Sequence, residues 1–452
     1  MADPGQRRQM HPERVLACGF LALILVGGIL LALPIAAVSG KSIGLFEGMF
    51  TATSAVCVTG LIVVDTGTTF SLFGQVVLLA LIQLGGLGFM LFATLAMMAM
   101  GRRITLQNRL LIRDSMNAST MTGLPRLAGW ISLLTVGIEL LGAMLLAVRF
   151  VPAYGWGKGL FFSLFHSVSA FCNAGFDLMG GYASLTGYWN DPLVLLTIAM
   201  LITLGGLGFA VMMEVVQHKG KWRGLSLHAK IVLTVSAGLL AVGTLFYALV
   251  EWNNPATLAV EEAHAGTKLL GAFFQSVTMR TAGFNSVDLA GMTDASKLMS
   301  VLLMFIGASP ASTGGGVKTT TISVLLLIVF SVVKGQENVN VFGKRLPTDL
   351  MRRAVAILFI TLIVLLCGTM GLTLLEKGAA MSDILFETTS AMATVGVSSL
   401  GTPTLSRASQ VILIPMMFFG RVGPLTMAMA LASKMEKGQN KIKYPEEKIM
   451  IG

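Results

Sequence analysis

FTATSAVCVTGL, residues 50–61, is the stretch that decides the architecture, because the chain writes it three more times in altered letters. Residues 165–176 read FHSVSAFCNAGF, residues 273–284 FFQSVTMRTAGF and residues 386–397 FETTSAMATVGV. Each starts on a phenylalanine and reaches a glycine ten residues later: Gly60, Gly175, Gly283 and Gly396, spaced by 115, 108 and 113 residues. The 452 residues are thereby divided into quarters, one unit used four times.

Each segment is too short to cross a bilayer, which takes about 20 apolar residues. Runs of that length flank every one of them: 15–37 and 72–100, 127–148 and 192–217, 231–250 and the overlong 298–333, then 354–375 and 411–433. The chain is 54% hydrophobic and only 12% charged, where a soluble domain has about a quarter of its residues charged. With a mean hydropathy of +0.79 it is a polytopic membrane protein. The expected fold is all-α, with four membrane-helix, pore-loop, membrane-helix repeats, eight spans in all, around one central pore. LITLGGLGF at 201–209 nearly duplicates LIQLGGLGF at 81–89, so the second spans repeat as well.

This divides the chain into an N-terminal arm (1–14), repeat 1 (15–100), a link (101–126), repeat 2 (127–217), a link (218–228), repeat 3 (229–333), a link (334–353), repeat 4 (354–433) and a tail (434–452). Most of the 32 Lys and Arg fall in the arm, the links and the tail, which predicts those segments, and both termini, on the cytoplasmic side of the membrane. The opposite face keeps Glu47, Asp65, Asp177, Glu251, Glu261, Glu262, Asp288 and Glu376, a mildly acidic vestibule that would concentrate cations. The net charge of +10 then reflects topology and attraction to lipid rather than nucleic-acid binding. The first apolar run is too long for a removed signal peptide and has no small-residue cleavage site.

Non-helical backbone at membrane depth survives only where it lines a wet cavity or is buried in protein. Four such segments about one axis make a pore, with carbonyl oxygens replacing the water around an ion. Glycine suits the loop because a carbonyl ladder needs backbone angles that a Cβ resists. The candidate selectivity residues are Val58, Thr59, Gly60 and Leu61; Asn173, Ala174, Gly175 and Phe176; Thr281, Ala282, Gly283 and Phe284; and Thr394, Val395, Gly396 and Val397.

The 298–333 run is too long for one crossing and is interrupted by Gly307, Ala308, Ser309, Pro310, Ala311, Ser312, Thr313, Gly314, Gly315, Gly316, Val317 and Lys318. An intramembrane loop is expected there, either a movable obstruction under the pore loops or a Pro/Gly kink with a snorkelling lysine. Arg421, near the middle of the last run, costs about 2.5 to 3.5 kcal/mol on insertion scales unless it faces a cavity or a partner. It reads as a pore-facing cation that restrains the loop or sets an electrostatic barrier to ions, or as half of an ion pair between repeats. Glu139 is its acidic counterpart by depth and reads as a structural salt bridge or hydrogen-bond partner, while Glu214, near a cytoplasmic end, reads as solvated.

Cys57 and Cys172 stand three residues before their glycines and read as small residues behind the loops; with Cys18 and Cys367 they have neither zinc-ligand nor disulfide spacing. The 28 methionines read as packing and lipid contact. No Walker lysine motif and no HExxH occurs, and the five histidines are dispersed. A membrane enzyme or scaffold would have to place its chemistry at Glu139 and Arg421, and would leave the four glycines unexplained.

Thr394-Val395-Gly396-Val397 resembles a degenerate TVGYG filter of potassium channels, and the other loops keep only its glycine. The single-chain, four-glycine form, with VVDTG at 63–67, TAGFNS at 281–286 and GRVGPLT at 420–426, resembles the Ktr/Trk/HKT superfamily of potassium transporters. Within it, the whole length is most similar to the bacterial Ktr membrane subunits, the KtrB group. The resemblance implies transport of K+ with stimulation by Na+, a gating role for the 307–318 loop, and no cofactor bound by this chain. It also implies a homodimer above a cytoplasmic ring of KtrA-like RCK subunits that bind ATP or ADP. A Trk- or HKT-like sodium or mixed-cation transporter is the alternative, since no loop carries a full TVGYG.

Overall fold

Pro12–Ala32 forms helix α1, 21 residues long and so about 30 Å, the thickness of a bilayer's hydrocarbon core. The short α2 (Leu45–Val56), the single turn α3 (Thr66–Thr69) and α4 (Leu72–Leu87) follow. Next come the long α5 (Leu124–Tyr154), the short α6 (Trp156–Phe171), α7 (Pro192–Leu207) and α8 (Phe209–Gln217). Then α9 (Leu227–Val250), α10 (Ala265–Thr278), α11 (Asp294–Phe305) and α12 (Thr319–Val333) lead into a small hairpin of β1 (Asn340–Val341) and β2 (Lys344–Arg345). The series ends with α13 (Thr348–Leu375), α14 (Met381–Met392) and α15 (Arg407–Val422). This computed structural model describes residues 12–88, 91, 124–261, 263–336, 338–424 and 426–428. Most of the expected N-terminal arm and first link, the end of the 72–100 run and the expected tail lie outside them.

Among the described residues four helices are long and apolar enough to cross a membrane unaided: α1, α5, α9 and α13. Their outer faces carry exposed Leu133, Leu249 and Leu374, as expected where the solvent is lipid. The short helices invert that pattern. Most of α2, α6, α10 and α14 is buried, including the hydroxyls of Thr51, Thr53, Ser54, Ser167 and Ser169. Each short helix packs on the long one before it, and α4, α7, α11 and α15 pack on the short helices α6, α10, α14 and α2. The last of these contacts returns to the start of the chain and closes the arrangement into a circle.

Side-chain caps start many of these helices, Ser71 accepting from Gly74 N, Asp191 from Leu193 N and Val194 N, and Ser226 from Ala229 N. Their ends differ from the sequence expectation. The 192–217 run is not one straight crossing: α7 and α8 meet at Gly208 and bend by 97°. α4 stops at Gly88 and α15 at Gly423, inside runs expected to continue to 100 and 433. All three glycines have left-handed backbone, with φ of 82°, 92° and 93° in chain order, which a side chain would resist. The helical ladder therefore breaks where the apolar composition continues, and hydropathy does not register the break.

Candidate functional site

The four short helices end at Cys57, Cys172, Met279 and Ala393, and the loops that follow meet one another. An ideal Cβ on Gly60 would lie 2.5 Å from Ala174 O, one on Gly175 would lie 2.6 Å from the Cα of Gly283, and one on Gly283 would lie 2.6 Å from Val395 O. A Cβ on Gly396 would overlap Thr59 O. The contacts run from the first loop to the second, third and fourth and back to the first. All four glycines have positive φ, from 68° to 96°, so neither the space nor the backbone accepts a side chain. The carbonyl ends of four helices converge on this ring, and their partial negative charge favours a cation there.

Two features of the loops were not read from the sequence. Val58, Asn173, Thr281 and Thr394 also have positive φ, between 53° and 68°. Asparagine tolerates this conformation, but three of the four are β-branched, where it costs about 1–3 kcal/mol each. The second feature is a set of hydroxyls behind the loops. Ser54 Oγ accepts from Gly60 N at 3.0 Å and Ser390 Oγ from Gly396 N at 3.1 Å. Ser169 Oγ instead donates to Phe176 O at 2.7 Å, and Thr278 Oγ1 donates to Phe284 O. A recurring Ser six residues before Gly60, Gly175 and Gly396 was the available signal.

The 307–318 segment is an ordered loop packed against the second, third and fourth of these loops. Gly307 N donates to Val317 O at 2.9 Å and Ala308 N to Gly315 O at 3.2 Å, closing the loop on itself. Ser309 N and Thr313 N donate to Gly206 O (3.0 Å) and Gly205 O (3.2 Å) on α7, and Phe209 N at the start of α8 donates to Ala311 O at 3.0 Å. Thr313 Oγ1 donates to Phe171 O at 3.0 Å. A Cβ on Gly314 would meet Thr281 Oγ1 and Asn173 Nδ2, and one on Gly315 would meet Thr394 Oγ1. The loop thus lies against the residues that immediately precede the glycine ring. Pro310 and Ser312 shape its turn, Ser312 Oγ donating to Ser309 O at 2.6 Å, while Gly316 (φ 69°) and Ala311 (φ 54°) are left-handed. Lys318 is half-buried, its Nζ donating to Gly314 O at 2.7 Å.

Arg421 and Glu139 do not pair. The Arg421 guanidinium donates to three backbone carbonyls, Thr313 O in the loop and Gly85 O and Gly86 O (2.8 Å for the last) at the end of α4. Glu139 is hydrogen-bonded to Gln83 on α4, Gln83 Nε2 donating at 3.1 Å. Cys57 and Cys172 are free thiols, both wholly buried. Arg280, in the position that Cys57 and Cys172 hold in their loops, is buried with Nη2 donating to Ser236 Oγ at 3.2 Å. Glu214 is not simply solvated, since it accepts hydrogen bonds from both the N–H and the hydroxyl of Ser226.

The expected acidic vestibule is mostly committed to structure. Glu47 pairs with Arg407, and Asp65 accepts from Thr68 N and Tyr182 N, both at 2.8 Å. Burial alone would raise the Glu251 carboxyl, but hydrogen bonding with the Ser296, Thr293, Thr257 and Asn254 side chains outweighs it and holds the carboxyl below its ordinary range. Glu376 is also lowered, chiefly by hydrogen bonding to Ser409 and Ser406. These carboxylates hold the linkers above the ring.

Four glycine loops of one chain thus meet in a ring, with a fifth loop packed against it. Residues 23–443 match the family described as TrkH: Cation transport protein. The chain belongs to that family. It is similar to the Ktr system potassium uptake protein B of Bacillus subtilis, 42% identical over 98% of this chain and 97% of the relative. It is 40% identical to the protein of the same name from Vibrio alginolyticus, over 97% and 94%. It is 37% identical to the potassium/sodium uptake protein NtpJ of Enterococcus hirae, over 99% and 98%. The crystal structure of the potassium transporter TrkH from Vibrio parahaemolyticus shares the fold, with a TM-score of 0.72 and 17% identity over 95% of this chain and 87% of that one. This TrkH-family chain is therefore a multi-pass membrane transporter and not an enzyme.

Proposed function

We propose that this chain is the potassium-translocating membrane subunit of a Ktr-type uptake system. The observation that carries this is the closed ring of Gly60, Gly175, Gly283 and Gly396, each too tightly placed for a Cβ. Four membrane-helix, pore-loop, membrane-helix repeats with eight spans surround this ring, and K+ passes through it. The carbonyls of Thr59, Ala174, Ala282 and Val395, next to the glycines, supply the ion-facing oxygens. Those of Phe176 and Phe284 are held from behind by Ser169 and Thr278, which leaves fewer ion sites than a full TVGYG loop provides.

The 307–318 loop is the gate, because it packs on Asn173, Thr281 and Thr394 from one side, and Arg421 is its latch. The basic segments and both termini face the cytoplasm, where a homodimer of this chain sits on a KtrA-like ring whose ATP or ADP state moves the loop. Na+ stimulates transport. The membrane potential drives uptake, at about 2.3 kcal/mol per charge per 100 mV. A mixed potassium and sodium conductor is the second reading, favoured by the similarity to the potassium/sodium uptake protein NtpJ and by the two carbonyls held from behind.

Ion flux into proteoliposomes under an inside-negative potential, comparing K+, Rb+, Na+ and Li+, tests the reading. Uptake of K+ and Rb+ over Na+ is expected, and deletion of residues 314–316 raises it. Equal passage of Na+ favours the second reading. No flux from intact protein, with or without the ring, rejects both.

A further inference from the structure

The near-duplicate stretches at 81–89 and 201–209 differ at one position, where the first has Gln83 and the second Thr203. Thr203 closes on its own helix, donating to Ala199 O at 2.8 Å. Gln83 reaches out of its own quarter of the chain. Its Nε2 donates to Glu139 Oε2 at 3.1 Å, and its Oε1 accepts from Cys172 Sγ at 3.2 Å. Cys172 caps α6 and directly precedes Asn173, so a chain of hydrogen bonds runs from Glu139 to the second glycine loop. Ser167 on α6 adds a tie, donating to the backbone carbonyl of Glu139 at 2.6 Å.

Glu139 is 5% exposed, near the middle of a membrane-crossing helix. Its Oε1 has no hydrogen-bond partner among the described residues, and neither has Thr135 Oγ1, wholly buried one turn earlier. Helical side chains lean toward the N-terminus and residues four apart share a face, so these two orphan oxygens lie along one stripe of α5. The neighbouring charges are committed elsewhere. On α6, His166 is hydrogen-bonded to Phe162 O and Leu178 N, and Lys158 lies over the rings of Tyr154 and Phe162. On α5, Arg149 pairs with Asp191. α4 and α7 carry no titratable residue, the Cys172 thiol donates to Gln83, and Arg421 is bound to carbonyls. An unpaired carboxylate here is far more costly than a neutral acid.

We propose that Glu139 carries a proton and, as a neutral acid, positions the second glycine loop through Gln83 and Cys172. The proton removes the buried charge. The acid oxygen facing Gln83 fixes the amide, and the amide fixes the thiol at the root of the loop. The fourth loop has a buried carboxyl of its own, but Glu387 accepts from Ser398 at 2.5 Å and Thr402 at 2.7 Å, both beyond Gly396, so both its oxygens are satisfied and neither reaches the root of the loop. This rests on the pore reading above, and the two fail differently, since loss of all flux from the unaltered chain strikes the pore itself.

The test compares K+ and Na+ flux in proteoliposomes for the unaltered chain, Glu139→Gln, Glu139→Leu and Gln83→Thr, each checked for folding by gel filtration. The unaltered chain is expected to lose K+/Na+ preference at alkaline pH, where Glu139 gives up its proton, and Glu139→Gln, which mimics the neutral acid, is expected to keep the preference across that range. Glu139→Leu and Gln83→Thr are expected to lower that preference roughly tenfold, the size of losing one buried hydrogen bond. Infrared spectra of the unaltered protein at neutral pH are expected to contain a protonated-carboxyl band that Glu139→Gln removes; this readout survives even if a variant transports poorly. The proposal is overturned if that band is absent, if Glu139→Gln behaves as Glu139→Leu, or if Na+ binding to the unaltered protein is lost in Glu139→Gln, which would make the occupant sodium.

Discussion

Arg421 donates to the carbonyl of Thr313, 108 residues earlier in the chain, while the same guanidinium holds Gly85 O and Gly86 O. One cation thus ties the 307–318 loop to the end of α4. Hydrogen bonds from a charged donor are worth about 1.5–3 kcal/mol each. Arg421→Ala is expected to release the loop and raise basal K+ flux by about tenfold or more. Arg421→Lys should fall between, because an ammonium lacks the planar fork that spans three carbonyls. Reduced flux in a folded Arg421→Ala protein would mean that the residue serves permeation and not closure.

Gly283 tests the ring itself. Its φ is 85° and a Cβ would stand 2.6 Å from Val395 O, so Gly283→Ser must push the third loop off the fourth. A displacement of that kind is expected to cut the K+/Na+ preference by about tenfold or more while flux persists, since misplaced oxygens discriminate less. Competition of Na+ against Rb+ uptake measures it. An unchanged preference would show that the ring does not select.

Much of this arrangement was legible in the sequence. The phenylalanine-to-glycine spacing located all four loops, and the length of the 298–333 run exposed the fifth. What could not be read were effects of backbone and partner. Gly88, Gly208 and Gly423 break their helices through positive φ, yet each stands in an apolar run like any lipid-facing glycine. Arg421 suggested an acidic partner because side-chain charge is visible in a sequence, whereas the carbonyls that bind it belong to every residue alike. Glu139 was matched to Arg421 by depth, but its partner depended on the one-letter difference between Gln83 and Thr203. Arg280 hid in the position of two cysteines, where its charge says nothing of Ser236.

Lys297 on α11 and Asp383 on α14 form an ion pair of 2.7 Å that joins two quarters of the chain, with side chains only 9% and 17% exposed. Removing one partner of such a pair leaves a buried charge and costs up to about 3–5 kcal/mol, less where solvent reaches it as at Asp383. Lys297→Met and Asp383→Leu are each expected to lower the melting temperature in detergent by several degrees. The double variant should recover most of that loss, because apolar replacement of both partners is often neutral. Additive losses would show that the residues do not act as a pair.

Glu251, beyond the end of α9, binds three segments at once. It accepts from Asn254 Nδ2 at 2.6 Å, Thr257 Oγ1 at 2.7 Å, and both the N–H (3.1 Å) and the hydroxyl (2.7 Å) of Thr293 at the start of α11. Its carboxyl is held below the ordinary glutamate range in the folded protein, since those hydrogen bonds outweigh burial. A depressed folded value means that the unfolded chain takes up the proton first. The stabilisation is therefore complete above the ordinary glutamate value of about 4.3 and is lost as pH falls from there through the folded value. Glu251→Gln should lower the melting temperature at neutral pH, where the carboxylate is intact, and the gap to the unaltered protein should close on acidification. Thermal unfolding in detergent from neutral to acidic pH reads this directly. A gap that stays constant across that range would mean that Glu251 contributes shape and not charge.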